Sequence, residues 1–310
     1  MTRRWRLLVD GPHTARYNMA CDEAIFRSVS GGAALPVLRL YQWEPSAISI
    51  GYHGDAGQVD TEHCREMGWE WVRRPTGGGA VFHDRELTYA VIAPAMGLGT
   101  DVLSIYRAVS EGLVAGLRRL GLQAELQPPQ RQAARPHRVS IEPPGDDPAG
   151  VEAGSPWAGV CFDTPSAYEL TVAGKKVVGS AQVRRGGYFL QHGSILIEAE
   201  PHRHLWGFRI ESPAVRAAAE QAFARHAAGL AEVMGRRPGV EELAEAIAAG
   251  MGEALDLELV PSGLNAEEQE LLLLLAEHKY GTWAWNVEGV DNTGRASARP
   301  GIVPGRAAGI

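Results

Sequence analysis

The chain has 310 residues, 45% hydrophobic and 22% charged, with a net charge of -7. That length holds one large domain or two modest ones, and the acidic balance argues against broad nucleic-acid binding, which needs a basic face. No run approaches the roughly 20 apolar residues of a membrane span. Cys21, Cys64 and Cys161 are too few and too scattered for a disulfide framework or a metal site. They fit a reducing, cytoplasmic compartment, and residues 1–10 hold no apolar core long enough for a signal peptide.

Leu7–Val9 reads as a first strand. Asn18 to Phe26 carries apolar residues at helical spacing, with Asn18 as N-cap and acids in the first turns. Val37–Tyr41 and Ala47–Gly51 are strands, and Val59 to Met67 is a helix. Cys21 and Cys64 fall inside the two helical patterns and read as small packed residues. Trp69–Val72 and Ala80–Phe82 are strands joined by a glycine loop, and Leu87–Ala93 is another strand. Val102 to Leu120 is a long amphipathic helix ending at Gly121, a C-cap signal, with a short strand over Gln123 to Leu126. Residues 127–156 are rich in Pro, Arg, Gly and Ala, and the spacing predicts a mobile insertion there.

Tyr168–Val172, Lys176–Gly179 and Gly193–Ile197 read as successive strands, with Gly174 turning between the first two. Ala214 to Met234 and Val240 to Leu255 are helical, Leu257–Val260 is a strand, and Ala266 to Tyr280 is a last helix. Residues 287–310 lack periodicity and read as a disordered tail. Strands and helices do not alternate as regular βαβ units. The expected fold is therefore α+β, a mixed, largely antiparallel sheet with packed helices, in a single domain over residues 1–286.

The segment Arg73-Arg74-Pro75-Thr76-Gly77-Gly78-Gly79-Ala80-Val81-Phe82-His83-Asp84 holds the strongest local signal. Three glycines let the backbone turn sharply and come close to a ligand, and two arginines before the turn suit an anionic or strongly polar one. It is neither a Walker A loop nor a dinucleotide fingerprint, since no Gly-Lys-Ser/Thr follows and the glycine spacing differs. A plain hairpin turn is the bland reading. Cys161 sits just after the insertion among small neighbours, where a thiolate could act as nucleophile. The alternative of a packed small residue stands beside it. His83 and His192 are candidate bases, and His192 reads equally as a structural hydrogen-bonding residue. By alternation Lys176, Val178 and Ser180 share one face, which would turn the Lys176 ammonium inward. An exposed basic turn at Lys175-Lys176 is the alternative.

Four blocks carry a family resemblance: Asn18-Met19-Ala20-Cys21-Asp22-Glu23-Ala24, Arg73 to Asp84, Gly174 to Gln182, and Gln191-His192-Gly193-Ser194. With them the sequence resembles the lipoyl/octanoyl transferase and ligase family, which shares its fold with biotin protein ligases. Cys161-Phe162-Asp163-Thr164-Pro165-Ser166 is similar to the cysteine loop of LipM-type octanoyltransferases. Lys279-Tyr280-Gly281-Thr282-Trp283-Ala284-Trp285-Asn286 resembles the same group's C-terminal motif, with Ala284 where an acid is expected.

The resemblance implies an enzyme with Cys161 and Lys176 as catalytic residues, and nothing in the sequence demands more than a monomer. Arg73, Arg74, Thr76, Gly77, Gly78, Gly79, His83, Gly179, Ser180, Ala181, His192 and Gly193 would bind substrate. Octanoyl-acyl carrier protein would be the donor, and a lysine of a lipoyl-domain protein, the glycine cleavage H protein, the acceptor. Lys176 would hold the carbonyl oxygen, and no cofactor, metal, nucleic acid or membrane is implied. Two other readings stand beside it. One is an ATP-dependent lipoate–protein ligase working through lipoyl-AMP. The other is a silent module that binds acyl chains or carrier proteins without turnover.

Overall fold

The structure, a computed structural model, describes residues 3–127, 168–210 and 212–293. Strand β1 (Arg3–His13) leads through helix α1 (Ala15–Ser30) to its parallel neighbour β2 (Val37–Trp43). Strand β3 (Ala47–Ile50), α2 (Thr61–Met67), β4 (Glu70–Arg73) and β5 (Val81–His83) come next. Strand β6 (Glu86–Pro94) then returns antiparallel to β2. Helix α3 (Val102–Arg119) and strands β7 (Ala124–Leu126), β8 (Leu170–Val172), β9 (Lys175–Arg185) and β10 (Tyr188–Leu196) complete the antiparallel half. Helices α4 (Pro201–Leu205), α5 (Pro213–His226), α6 (Leu230–Met234) and α7 (Val240–Ala254) follow. The described chain ends with β11 (Leu257–Pro261), α8 (Ala266–Leu275), a π-helical turn (Ala276–Tyr280) and α9 (Trp283–Asn286).

Among the described residues the main sheet has the order β11-β1-β2-β6-β10-β9-β8-β7, parallel only around β1. A second sheet runs β4-β3-β5, so the glycine loop joins its two edge strands. This is the mixed, largely antiparallel α+β architecture expected from the sequence. The period-2 pattern sorts β6 between two cores. Leu87, Tyr89 and Val91 pack with α3 and α7, whereas Ala90 and Ile92 face α1 and α8. No helix among the described residues is long and apolar enough to cross a membrane.

Several boundaries differ from expectation for physical reasons. Helix α1 begins three residues before Asn18, because the Thr14 hydroxyl accepts from the Tyr17 amide as cap. Asn18 is buried instead, donating to the carbonyls of His13 and Gln42 and accepting from Arg39. The helix expected from Val59 starts at Thr61, where Asp60 caps it by accepting from the His63 amide. The helix expected from Ala214 to Met234 breaks at Ala227, which adopts extended geometry and bridges to Lys176. The Ala228 amide donates there to the Lys176 carbonyl, a tertiary bond that overrides local helix propensity. The expected insertion at 127–156 lies, apart from Gln127, outside the described residues, as do residues 294–310 of the expected tail.

Candidate functional site

A cavity of about 370 Å³, open mouth included, lies between the main sheet, α1 and the small sheet. Met19 from α1, Tyr41 and Trp43 from β2 and Val81 from β5 supply apolar walls. Arg74, Ser49, His83, Thr88, Ser180, His192 and Ser194 supply polar ones, with Gly179, Ala181 and Gly193 between them.

The polar side chains are bonded to one another. Arg74 Nη1 donates to Ser49 Oγ at 3.1 Å, and Ser49 Oγ lies 2.7 Å from His83 Nε2. His83 Nδ1 is 2.7 Å from Glu86 Oε1, which also accepts from the Thr88 and Ser194 hydroxyls. The Trp43 ring stacks on His83 at 4.0 Å, and its indole nitrogen donates to Thr88 Oγ1. On the other side Arg74 Nε donates to Thr76 Oγ1, which is 2.7 Å from His192 Nε2. His192 Nδ1 is 3.0 Å from Asp22 Oδ2, and Asp22 also accepts from Arg39 and the Tyr41 hydroxyl. Two hydroxyl–imidazole–carboxylate chains thus meet at one guanidinium.

Burial pushes the His192 pKa below its ordinary value, partly opposed by Asp22. For Asp22, burial alone would raise the pKa. The hydrogen bond from His192 and the Arg39 charge outweigh it and hold the carboxyl below its usual range. A neutral His192 facing a carboxylate carries its proton on Nδ1, so Nε2 accepts from the Thr76 hydroxyl.

Lys176 is 6% exposed, and its ammonium donates to Glu169 Oε1 at 2.9 Å. The expected alternation fails beside it. Leu170 pairs with Val178 but Thr171 with Lys176, so Val177 is an extra, bulged residue. Val177 and Val178 both enter the core under α3 and α7. Lys176 is left on the opposite face, with Gly179 and Ala181, rather than with Val178 and Ser180.

The sequence-predicted residues are partly brought together. Arg74, His83, Gly179, Ser180, Ala181, His192 and Gly193 line the cavity. Thr76 adjoins it through His192, and Gly77 and Gly79 present their carbonyls to Arg74 at 2.6 and 2.7 Å. Gly78 adopts φ +91°, a left-handed conformation that favours glycine, but does not line the cavity. Arg73 lies apart from the cavity, and Lys176 is not among its lining residues. The expectation that both arginines face an anionic ligand is corrected for Arg73, whose guanidinium donates to five backbone carbonyls. Cys161 lies outside the described residues.

Met19, Tyr41, Trp43, Ser49, Val81, Thr88 and Ser194 were not singled out from sequence as site residues. Only Met19, Val81 and Ser194 fall inside quoted blocks, and a strand aromatic such as Trp43 carries no signal separating core from cavity.

Residues 14–252 match the lipoyl protein ligase A/B catalytic domain family. Octanoyltransferase LipM of Kyrpidia tusciae is 43% identical over 285 residues, covering 91% of this chain and 98% of that protein. Octanoyltransferase LipM of Symbiobacterium thermophilum is 41% identical over 290 residues, covering 93% and 99%. Among solved structures, a bipartite lipoate protein ligase of Thermoplasma acidophilum superposes with a TM-score of 0.73 at 24% identity, over 97% of this chain and all of that one. That last likeness is one of fold.

Proposed function

The chain belongs to the lipoyl protein ligase A/B catalytic domain family, and from this premise we propose that it is an octanoyltransferase of protein lipoylation. The donor is octanoyl-acyl carrier protein, and the acceptor is a lysine of a lipoyl-domain protein, the glycine cleavage H protein. The observation that carries this reading is the apolar cavity walled by Met19, Tyr41, Trp43 and Val81, a shape and chemistry suited to a short alkyl chain. The buried ammonium of Lys176, on the same face of β9 as the lining residues Gly179 and Ala181, supports it.

Cys161 is the nucleophile of the proposal. Its thiolate adds to the thioester carbon, the bond from that carbon to the donor sulfur breaks, and the donor leaves as a thiol after taking a proton. The neutral amine of the acceptor lysine then adds to the acyl-Cys161 carbon. The bond to the Cys161 sulfur breaks, the nitrogen loses a proton, and an amide remains. Thioester exchange is near thermoneutral and amide formation runs downhill, so neither step calls for a nucleotide. Lys176 donates to the carbonyl oxygen as negative charge develops on it, a contribution of roughly 3–4 kcal/mol to the barrier.

The test is intact-protein mass spectrometry after mixing with octanoyl-acyl carrier protein in the absence of ATP. An octanoyl mass gain is expected, absent in Cys161→Ala and formed roughly 200- to 1,000-fold more slowly in Lys176→Met. Acceptor octanoylation at the native rate in Cys161→Ala, or lipoate-dependent ATP–pyrophosphate exchange, overturns the proposal.

A further inference from the structure

The family match ends at residue 252, yet the chain beyond it returns to the root of the glycine loop. The π-helical turn after α8 brings Lys279 Nζ to Glu23 of α1 at 2.8 Å and to Asp291 at 2.9 Å, over the Trp285 ring at 3.9 Å. Lys279 and Glu23 are buried while Asp291 stays exposed, and α9 begins just beyond, where the Thr282 hydroxyl caps it by accepting from the Trp285 amide. Helix α9 then grips the main chain of Arg73 from both sides. The Trp285 indole nitrogen donates to the Arg73 carbonyl at 2.8 Å, and the Arg73 amide donates to Asn286 Oδ1 at 2.9 Å. Asn286 Nδ2 donates in turn to the Tyr280 carbonyl, so its orientation is set from behind.

The Arg73 side chain completes the grip. Its Nε and Nη2 donate to the carbonyls of Trp285 and Val287, and Nη1 donates to those of Gly51, Tyr52 and Gly54. Burial pushes this guanidinium below its ordinary pKa. A buried cation with carbonyl partners from two separate segments holds both in one arrangement. The segment 51–54 is also where the glycine loop rests. A Cβ on Gly51 would stand 2.0 Å from the Gly78 carbonyl oxygen, so only glycine lets the two backbones meet. Arg74, the next residue, enters the cavity wall.

We propose that Trp285 and Asn286 are positioning residues for the acyl site. They set Arg73, and through it the glycine loop and the Arg74 wall of the cavity. Ala284, which replaces the acid of the resembling motif, offers its carbonyl to the Val290 amide, and the grip on Arg73 uses no side chain at that position. The proposal takes its substrate, an octanoyl thioester, from the function proposed above. Its structural claim stands apart from the chemistry.

The test compares Trp285→Phe, which keeps a ring over Lys279 but removes the indole donor, and Asn286→Leu with Leu272→Ala, a buried change on α8 at a residue outside the hydrogen bonds that hold Arg73. Hydrogen exchange, melting temperature and steady-state transfer from octanoyl-pantetheine are measured for each. In the first two, exchange rises over residues 51–54 and 74–80. KM for the thioester rises about tenfold, with kcat changed less than about threefold. Leu272→Ala lowers the melting temperature without either effect. Wild-type exchange in both segments of Trp285→Phe and Asn286→Leu, or an equal KM change in Leu272→Ala, overturns the proposal. Failure of the wild type to transfer octanoate overturns the proposed function instead and leaves the exchange result to be read alone.

Discussion

Replacing Asp22 with Asn removes the fully buried carboxylate that joins Arg39 to the cavity. Arg39 is 0% exposed, and Asp22 Oδ1 accepts from it at 2.8 Å. Its remaining acidic partner, Asp10, is partly solvent-exposed, so Asp10 compensates only part of the charge. Taking one member from a buried pair costs about 3–5 kcal/mol. Asparagine keeps an oxygen for Arg39, which places Asp22→Asn at the lower end, about 3 kcal/mol. At roughly 2–4 °C per kcal/mol for a chain of this size class, melting falls by about 6–12 °C.

The sign with pH is fixed by the carboxyl being held below its usual value, burial being outweighed by His192 and Arg39. The stabilisation is full above the unfolded carboxylate pKa, near 4, and is lost as pH falls through the lower folded value. Urea unfolding of both proteins, followed by tryptophan fluorescence from neutral to acid pH, reads the gap directly. A gap under about 1 kcal/mol at neutral pH, or one that fails to narrow in acid, refutes the reasoning.

His192 is held neutral by burial, so protons bind the unfolded chain preferentially once pH drops below the ordinary histidine value of 6.5. His192→Gln should flatten part of the resulting loss of stability below that pH. The slope that remains belongs to groups such as His204, also lowered by burial, and an unchanged slope in urea titrations counts against the assignment. Gly193→Ala should force β9 and β10 apart at the cavity. The new Cβ would lie 2.3 Å from the Gly179 carbonyl oxygen and 2.9 Å from Tyr89 Cε1. The expected cost is about 1–3 kcal/mol with weakened transfer, and a wild-type melting temperature and KM would contradict it.

The sequence made the elements legible where period and punctuation agreed. β6 alternates cleanly between two cores, and α3 ends beside Gly121, which takes φ +82°. The glycine loop was legible as a turn between strands because its glycines are adjacent. Features set by distant partners were not. The Val177 bulge has no local signature, and it reverses which residues share a face with Lys176. The break at Ala227 comes from pairing with Lys176, in a stretch whose own composition favours helix. Arg73 and Arg74 are identical side chains one residue apart. One is taken up by carbonyls of residues 51–54, 285 and 287, and the other enters the cavity, a division that no spacing rule encodes.

That division bears on how a cavity with so many polar side chains would accept the octanoyl chain of the proposed function. A polar group stripped of water by an entering alkyl chain costs free energy unless it is already bonded elsewhere. Here Ser49, Thr76, His83, Thr88, His192 and Ser194 bond to Arg74, to buried carboxylates or to each other before any chain arrives. The Ser180 hydroxyl is likewise held by Tyr89. Among the described residues the Glu86 Oε2 atom is an exception, and Glu86 itself stands behind the lining. The polar wall therefore has little hydration to lose, and Met19, Tyr41, Trp43 and Val81 supply the contact surface. Cutting one carboxylate out of the network should penalise the occupied cavity more than the empty one, because the freed hydroxyl or imidazole then has only the alkyl chain to face.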